Sequence, residues 1–326
     1  MDAQNQMLSC FFPTTVVFID DNTHHLETMM STINMQHSIP KLFSNPVEAV
    51  HFINNHPSIL LRSSQTRFDN NIHAFHQKLL SYGVQRFREL SVVVCDYAMP
   101  QKNGLEVLQD IKKRELKTIM LTGEADETIA KEAFDRGLID HFLRKETPNF
   151  SEVINNIILS LQQDYILRET AFIVDNIILG KLPASCSLTD AMFIKLFKEI
   201  KRKYQIIEYY LLDEQGSYLL VNQKGEVYFL AVLDAVDLDA LTQQAIEEEA
   251  PSNIIEALTT KKFMPFFYTE EDAQTPVADW ATFLHPAHLL KGQQTYYYAL
   301  VPPNKIHHPK LHPNQTYEHF LEHAHD

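Results

Sequence analysis

Four short apolar runs in the first half of the chain each close on a residue that can do chemistry, and no other feature constrains the fold as tightly. Val16-Val17-Phe18-Ile19 ends in Asp20-Asp21 and Val92-Val93-Val94-Cys95 ends in Asp96. Thr118-Ile119-Met120-Leu121 ends in Thr122-Gly123, and Ile139-Asp140-His141-Phe142-Leu143 ends in Arg144-Lys145. Apolar runs of this length without alternation read as strands buried on both faces. Helical patterns separate them: Leu105, Leu108 and Ile111 share a face, as do Ile129, Ala133 and Phe134. Lys41 to Asn55 reads as a further strand and helix. Strands alternating with helices build βαβ units. The expected fold of this half is therefore α/β, a doubly wound parallel five-stranded sheet.

In an open sheet of that kind, ligands sit at the carboxyl ends of the strands. Those ends present Asp20, Asp21, Asp96, Thr122 and Lys145. Three carboxylates on neighbouring strand ends repel one another unless a hard cation joins them, and Mg²⁺ suits a site with few protein oxygens and several waters. A lysine and a hydroxyl on further strands could hold an anion beside the metal. Together these groups make a phosphoryl-transfer site with aspartate as the nucleophile. Singly each has an ordinary reading: an aspartate pair on a surface, a turn residue ahead of Pro100, a helix cap, a solvated lysine. Their joint occurrence carries the argument.

On these residues the segment from Met1 to about Leu161 resembles the receiver domain of two-component response regulators. The resemblance rests on Phe18-Ile19-Asp20-Asp21, on Val94-Cys95-Asp96-Tyr97-Ala98-Met99-Pro100 with Asn103-Gly104, on Met120-Leu121-Thr122-Gly123, and on Phe142-Leu143-Arg144-Lys145. It implies that Asp96 accepts a phosphoryl group from a histidine kinase or a histidine phosphotransfer protein. It implies Mg²⁺ bound directly by Asp21, mainly through water by Asp20, and by the backbone carbonyl of Ala98. Thr122 and Lys145 would contact the phosphoryl oxygens, with Thr122 shifting inward and Phe142 following it. Receiver domains usually place proline directly after the lysine, through a cis bond. Here Glu146 and Thr147 precede Pro148, and a trans Lys145–Glu146 bond is expected because a cis non-proline bond is costly. A second departure is an insertion at about 57–90. Within it Phe68, Ile72, Phe75 and Leu79 predict a helix over 67–81. That helix reads as a cover for one sheet edge, with partner docking as the sharper alternative.

Beyond the sheet, Asn149 followed by Glu152 marks a helix start. Phe150, Val153, Ile154, Ile157, Leu161 and Tyr165 continue on one face, and no Gly or Pro follows until Gly180. The pattern allows close to thirty residues, a length that would link domains or form a dimer seam; a break near Asp164 is the alternative. Ser187 with Asp190 starts another helix with Leu188, Met192, Leu196 and Ile200 on one side. Ile206 to Leu212, Tyr218 to Asn222 and Glu226 to Leu233 are strands separated by tight turns, an antiparallel meander. Asp237 to Glu249 and Ser252 to Lys262 read as helices, Gln294 to Val301 as a strand and Tyr317 to His323 as a last short helix. The expected organisation is a receiver over 1–161, a helical linker over 162–204 and an α+β output domain over 205–326. The hairpins beside two helices are loosely similar to PAS-like sensory modules.

Composition narrows what the output half can do. The chain of 326 residues carries a net charge of −14. Residues 149–326 hold 13 Lys and Arg against 24 Asp and Glu, so bulk charge disfavours nucleic acid, which needs clustered cations. Lys195, Lys198, Lys201, Arg202 and Lys203 are the local exception, read first as a solvated helix face and second as a nucleic-acid contact. There is no glycine-rich phosphate loop and no HExxH. Glu256-Ala257-Leu258 spells a cyclic-dinucleotide phosphodiesterase tripeptide, but only 68 residues follow it, too few for that domain. His319 and His323, at i and i+4, could bind a metal, although no further ligand set is evident. Tyr209, Tyr210, Tyr228, Phe229, Phe266, Phe267, Trp280 and Tyr296 to Tyr298 read as core, or as a ligand pocket or docking face. The 3 cysteines are far apart, and Met1 to Phe12 lacks a signal-peptide pattern, so a cytoplasmic location without membrane association is expected. The combined expectation is a non-enzymatic response regulator that signals by homodimerisation or protein contact. Its alternatives are a nucleic-acid-binding regulator, a ligand-binding or enzymatic output domain, and a receiver that never accepts phosphate.

Overall fold

The computed structural model describes residues 7–60, 72–100, 102–123, 126–171, 187–269, 271–305 and 313–323. Its contacts divide the chain into two units: Phe11–Asp69 with Gln77–Phe172, and Met1–Cys10 with Asn70–His76 and Ile173–Asp326. The first ten residues and part of the expected insertion thus group with the C-terminal half.

Along the chain, the elements up to residue 169 are β1 (Cys10–Phe11), β2 (Thr14–Ile19), α1 (Thr23–Thr32), β3 (Ser38–Phe43), α2 (Pro46–Asn55), α3 (Ile72–Ser81), β4 (Leu90–Asp96), α4 (Gly104–Asp110), β5 (Lys117–Thr122), α5 (Glu127–Asp135), β6 (His141–Arg144) and α6 (Phe150–Glu169). Five of the strands form a parallel sheet in the order β3-β2-β4-β5-β6. The strand order reverses between β2 and β4, and in open α/β sheets that reversal opens a crevice at the carboxyl ends. Every residue of β2 and β4 is buried, as continuous apolar runs require. Side chains alternate between faces: Val16, Phe18, Val92, Val94, Ile119 and Leu121 pack with Leu26 and Ile33 on one side, under Ile154, Ile158 and Leu161 of α6.

The helix starts follow local side-chain chemistry. Asn22 caps α1 by accepting from the amides of His24 and His25, and Asn45 caps α2 with Pro46 in the first turn. Asn103 and Glu106 form a reciprocal capping box on α4. On α5 the buried residues are Ala130 and Ala133, while Ile129 and Phe134 stay about two-fifths exposed. The face expected from Ile129, Ala133 and Phe134 is therefore rotated: the small residues let the helix approach the sheet and the larger ones stay outside.

α6 departs from its expectation twice. It starts at Phe150, but Asn149 has left-handed backbone (φ 54°) and makes no side-chain cap. It is continuous past Asp164 and ends at Glu169, giving 20 residues rather than close to thirty. The added length is not spare surface. Gln162 donates to Thr14 Oγ1 at 2.8 Å and to the His37 carbonyl at 2.9 Å. Tyr165, almost fully buried, donates to Glu89. Glu89 also accepts from the Ser58 hydroxyl and the Ile59 and Leu60 amides. The last turns of α6 thus hold the chain where the insertion begins and ends. Of the helix expected over 67–81, Ile72–Ser81 is helical and 61–71 lie outside the described residues.

The C-terminal unit contains α7 (Ala191–Lys203), β7 (Ile206–Leu211), β8 (Tyr218–Asn222), β9 (Val227–Asp234), α8 (Ala235–Glu247), α9 (Ser252–Thr259), β10 (Phe263–Pro265), β11 (Leu284–Pro286), β12 (His288–Lys291), β13 (Thr295–Val301) and α10 (Tyr317–His323). The expected meander is β7-β8-β9, all antiparallel, extended to the sheet order β1-β7-β8-β9-β13-β12. α8, α9 and the β10–β11 hairpin pack Leu238, Ile254, Leu258, Met264 and Trp280 into one core with Val221, Phe229 and Val301. Asp190, rather than Ser187, caps α7. Its buried face is Phe193, Phe197 and Ile200, with Met192 45% exposed, because an apolar stripe can be drawn at more than one phase through so many large residues. No described helix is long and apolar enough to cross a membrane.

Candidate phosphoryl-acceptor site

The strand register brings the expected site residues together. Ile19 pairs with Cys95, which places Asp20 and Asp96 side by side one residue further on. Asp96 pairs with Leu121 and Thr122 with Arg144, so Thr122 and Lys145 each sit one step beyond their partners on the same edge. The Lys145 amide continues the ladder by donating to the Thr122 carbonyl at 3.0 Å.

Asp20 and Asp96 are buried (5% and 4% exposed), whereas Asp21 is exposed. One oxygen from each of the three carboxylates lies within 4.8 Å of the others. Lys145 Nζ bridges the two buried ones, 2.9 Å from Asp96 Oδ1 and 3.1 Å from Asp20 Oδ2. Burial pushes the Asp96 carboxyl above the usual aspartate range. The hydrogen bond and charge of Lys145 pull it down without cancelling that effect, and the Asp20 charge adds to it. Burial would lower the Lys145 ammonium, but Asp96 and then Asp20 hold it above the usual lysine value. Thr122 is fully buried, and its Oγ1 makes no hydrogen bond among the described residues. A buried hydroxyl without a partner is a place where a ligand oxygen can be accepted or donated to.

Three carboxylates against one ammonium leave an excess of two negative charges in a small volume. Oxygen donors of this kind suit Mg²⁺, which takes one or two protein carboxylates and keeps several waters. Ala98 lies exposed in the loop after β4. Phe142 is half-buried on β6, 6.0 Å from the Phe134 ring and stacked on His141 at 6.4 Å. No peptide bond among the described residues is cis, so Lys145–Glu146 is trans and Lys145 still reaches both carboxylates.

Gly104, part of the motif that follows Asp96, gains a steric reason in the structure, and His25 is a contributor that the sequence does not single out. A Cβ on Gly104 would lie 2.4 Å from the Asp96 carbonyl oxygen, so the start of α4 can close on the end of β4 only without a side chain. The Gly104 amide donates to the Tyr97 carbonyl at 2.9 Å, fixing that approach. His25 Nδ1 lies 3.4 Å from both Asp20 Oδ2 and Lys145 Nζ. Its only sequence signal is its place in the first turn of the helix that follows Asp20-Asp21.

In the other unit, Lys195, Lys198 and Arg202 line an open groove of about 610 Å³ together with Glu199. Lys201 points elsewhere, over the Tyr209 ring at 4.7 Å, and burial pulls its ammonium down to about 8.

Residues 61–157 match the family model of the response regulator receiver domain. A solved structure described as the Legionella pneumophila response regulator LqsR is 28% identical, covers 97% of this chain and 96% of its own, and has a TM-score of 0.77. A response regulator receiver domain protein from Clostridium thermocellum is 18% identical over 49% of this chain and 98% of its own, with a TM-score of 0.33. An adenylate cyclase from Rhodopirellula baltica is 18% identical over 52% of this chain and 100% of its own, with a TM-score of 0.34. No curated protein matches the chain.

Proposed function

This chain carries a response regulator receiver domain, and we propose that it accepts a phosphoryl group on Asp96 and signals through its C-terminal unit. The observation that carries the reading is the pairing of Lys145 with the buried Asp96 beside the Thr122 hydroxyl, which has no partner among the described residues. Asp96 Oδ attacks phosphorus, the bond from phosphorus to the donor histidine nitrogen breaks, and an acyl phosphate forms. Lys145 moves from the carboxylate to the incoming phosphoryl oxygens, and Thr122 Oγ1 supplies a hydrogen bond to another. Asp20, Asp21 and Asp96 would hold Mg²⁺, with the Ala98 carbonyl as a further ligand; the ion supplies charge neutralisation on the phosphoryl oxygens. The donor is a histidine kinase or a histidine phosphotransfer protein. Phe142, at the edge of an aromatic cluster, follows the inward shift of Thr122. The C-terminal unit then acts by homodimerisation or contact with another protein.

Molar mass by light scattering, with and without Mg²⁺ and beryllofluoride, tests the signalling step. A mass increase in the wild type and none in Asp96→Asn supports dimerisation. Bound fluoride adduct without a mass change shifts the output to contact with another protein. No adduct at all sinks the phosphoacceptor reading. The groove lined by Lys195, Lys198 and Arg202 favours a second reading, nucleic-acid binding. It requires an affinity that falls steeply with salt.

A further inference from the structure

The last helix carries a group of side chains that the phosphoryl chemistry does not use. α10 docks through Tyr317 and Phe320, which are 1% and 7% exposed. Those two residues fix which way the helix faces. His319, Glu322 and His323 then fall together on the open side, at positions i, i+3 and i+4, which are neighbours on a helix surface. One ligand atom from each lies within 4.8 Å of the other two. The two imidazole rings are 4.2 Å apart, centroid to centroid.

The orientation of His323 is also set. Its Nδ1 lies 2.8 Å from the His319 carbonyl oxygen. A carbonyl only accepts, so Nδ1 carries the proton and Nε2 keeps its lone pair. A histidine that ligates through one nitrogen commonly donates from the other to a backbone carbonyl, which fixes the tautomer and raises ligand basicity. At the other end of the group, the His319 amide donates to Thr316 Oγ1 at 3.3 Å, so the backbone carrying the first ligand is tied down.

We infer that His319, Glu322 and His323 form a binding site for a divalent transition-metal ion of the Zn²⁺ class, on the exposed face of α10. Two imidazoles and one carboxylate are donors that Zn²⁺ accepts at ~2.0–2.2 Å, with water completing a tetrahedron. Such bonds place donor atoms ~3.3 Å apart, a separation that rotation of these surface side chains reaches from the present geometry. The donor set differs in kind from the all-oxygen carboxylates of Asp20, Asp21 and Asp96. Imidazole selects Zn²⁺, Cu²⁺ or Ni²⁺, whereas carboxylates and water select Mg²⁺.

The test uses the tag-free full chain, stripped of metal and titrated with Zn²⁺ against a chromophoric chelator while Mg²⁺ is held saturating. One Zn²⁺ per chain is expected, with the dissociation constant raised at least ~10-fold by His319→Ala or by His323→Ala. Glu322→Gln should weaken binding less. Helix content by circular dichroism should not change, because Glu322 and His323 are exposed and His319 is only half-buried. A variant with His307, His308 and His312 all changed to Ala should bind like the wild type. The inference is overturned if no saturable Zn²⁺ binding occurs in the presence of Mg²⁺. It is equally overturned if the triple variant loses binding while His319→Ala and His323→Ala keep it.

Discussion

Replacing Lys145 with Met removes an ammonium shared by Asp20 and Asp96 while keeping the apolar stem. Two charge-assisted hydrogen bonds go, at 2.9 and 3.1 Å. Each such bond contributes ~1.5–3 kcal/mol, so the gross loss is ~3–6 kcal/mol. Lys145 is 22% exposed, and water entering the space recovers part of that. A net loss of ~2–3 kcal/mol in the stability of the receiver domain follows, measured without divalent ions. Mg²⁺ and Lys145 neutralise the same carboxylates and therefore compete. Removing the lysine should make Mg²⁺ binding tighter, and saturating Mg²⁺ should stabilise the variant by at least ~1 kcal/mol more than the wild type. Urea unfolding read by circular dichroism is the assay. The single tryptophan, Trp280, lies in the C-terminal unit, so its fluorescence follows that unit and serves as the internal control. An unchanged unfolding midpoint, or an Mg²⁺ shift equal to that of the wild type, would refute the idea that Lys145 bridges two buried charges.

Gly104→Ala should cost ~1–3 kcal/mol in thermal or urea unfolding and slow phosphorylation, because its Cβ meets the carbonyl of Asp96. Thr122→Ala should change stability by less than ~1 kcal/mol, since its Oγ1 makes no hydrogen bond among the described residues. It should slow phosphoryl transfer by roughly 10²-fold, as loss of one preorganised donor does, read from phosphoprotein accumulation against time. Burial raises the Glu89 carboxyl above the usual glutamate range despite donors from Tyr165, Ile59, Ser58 and Leu60. A carboxyl raised in the folded state binds its proton more tightly there than when unfolded. Its contribution to stability is therefore full below the ordinary glutamate range and is lost as pH rises through the folded value. Glu89→Gln should flatten that decline in a pH series of unfolding midpoints.

The sheet was legible because buried parallel strands write themselves as unbroken apolar runs, and those runs fixed the register that gathers Asp20, Asp96, Thr122 and Lys145. The meander was legible from its turns around Gly216 and Gly225, both at positive φ (101° and 75°). Helix faces were less so. Ile129 and Phe134 fit an apolar stripe on α5, yet the sheet accepts Ala130 and Ala133, because close approach favours small side chains over large ones. The lack of Gly or Pro overstates the length of α6, and its last turns serve Thr14, His37 and Glu89, partners far away in sequence. β12 and the β10–β11 hairpin carry too few residues to show a period. His25 acts through distances to the site that no spacing rule expresses, and Gly104, though part of the quoted motif, shows its steric role only in the fold.

Signalling by this chain turns on Asp96 as phosphoacceptor. The measurement is incubation of the chain with acetyl phosphate and Mg²⁺, followed by intact mass and peptide mapping after borohydride trapping. One phosphoryl group per chain is expected, on the peptide containing Asp96, dependent on Mg²⁺ and absent from Asp96→Asn. A chain that stays unmodified, or an adduct that persists in Asp96→Asn, would contradict it.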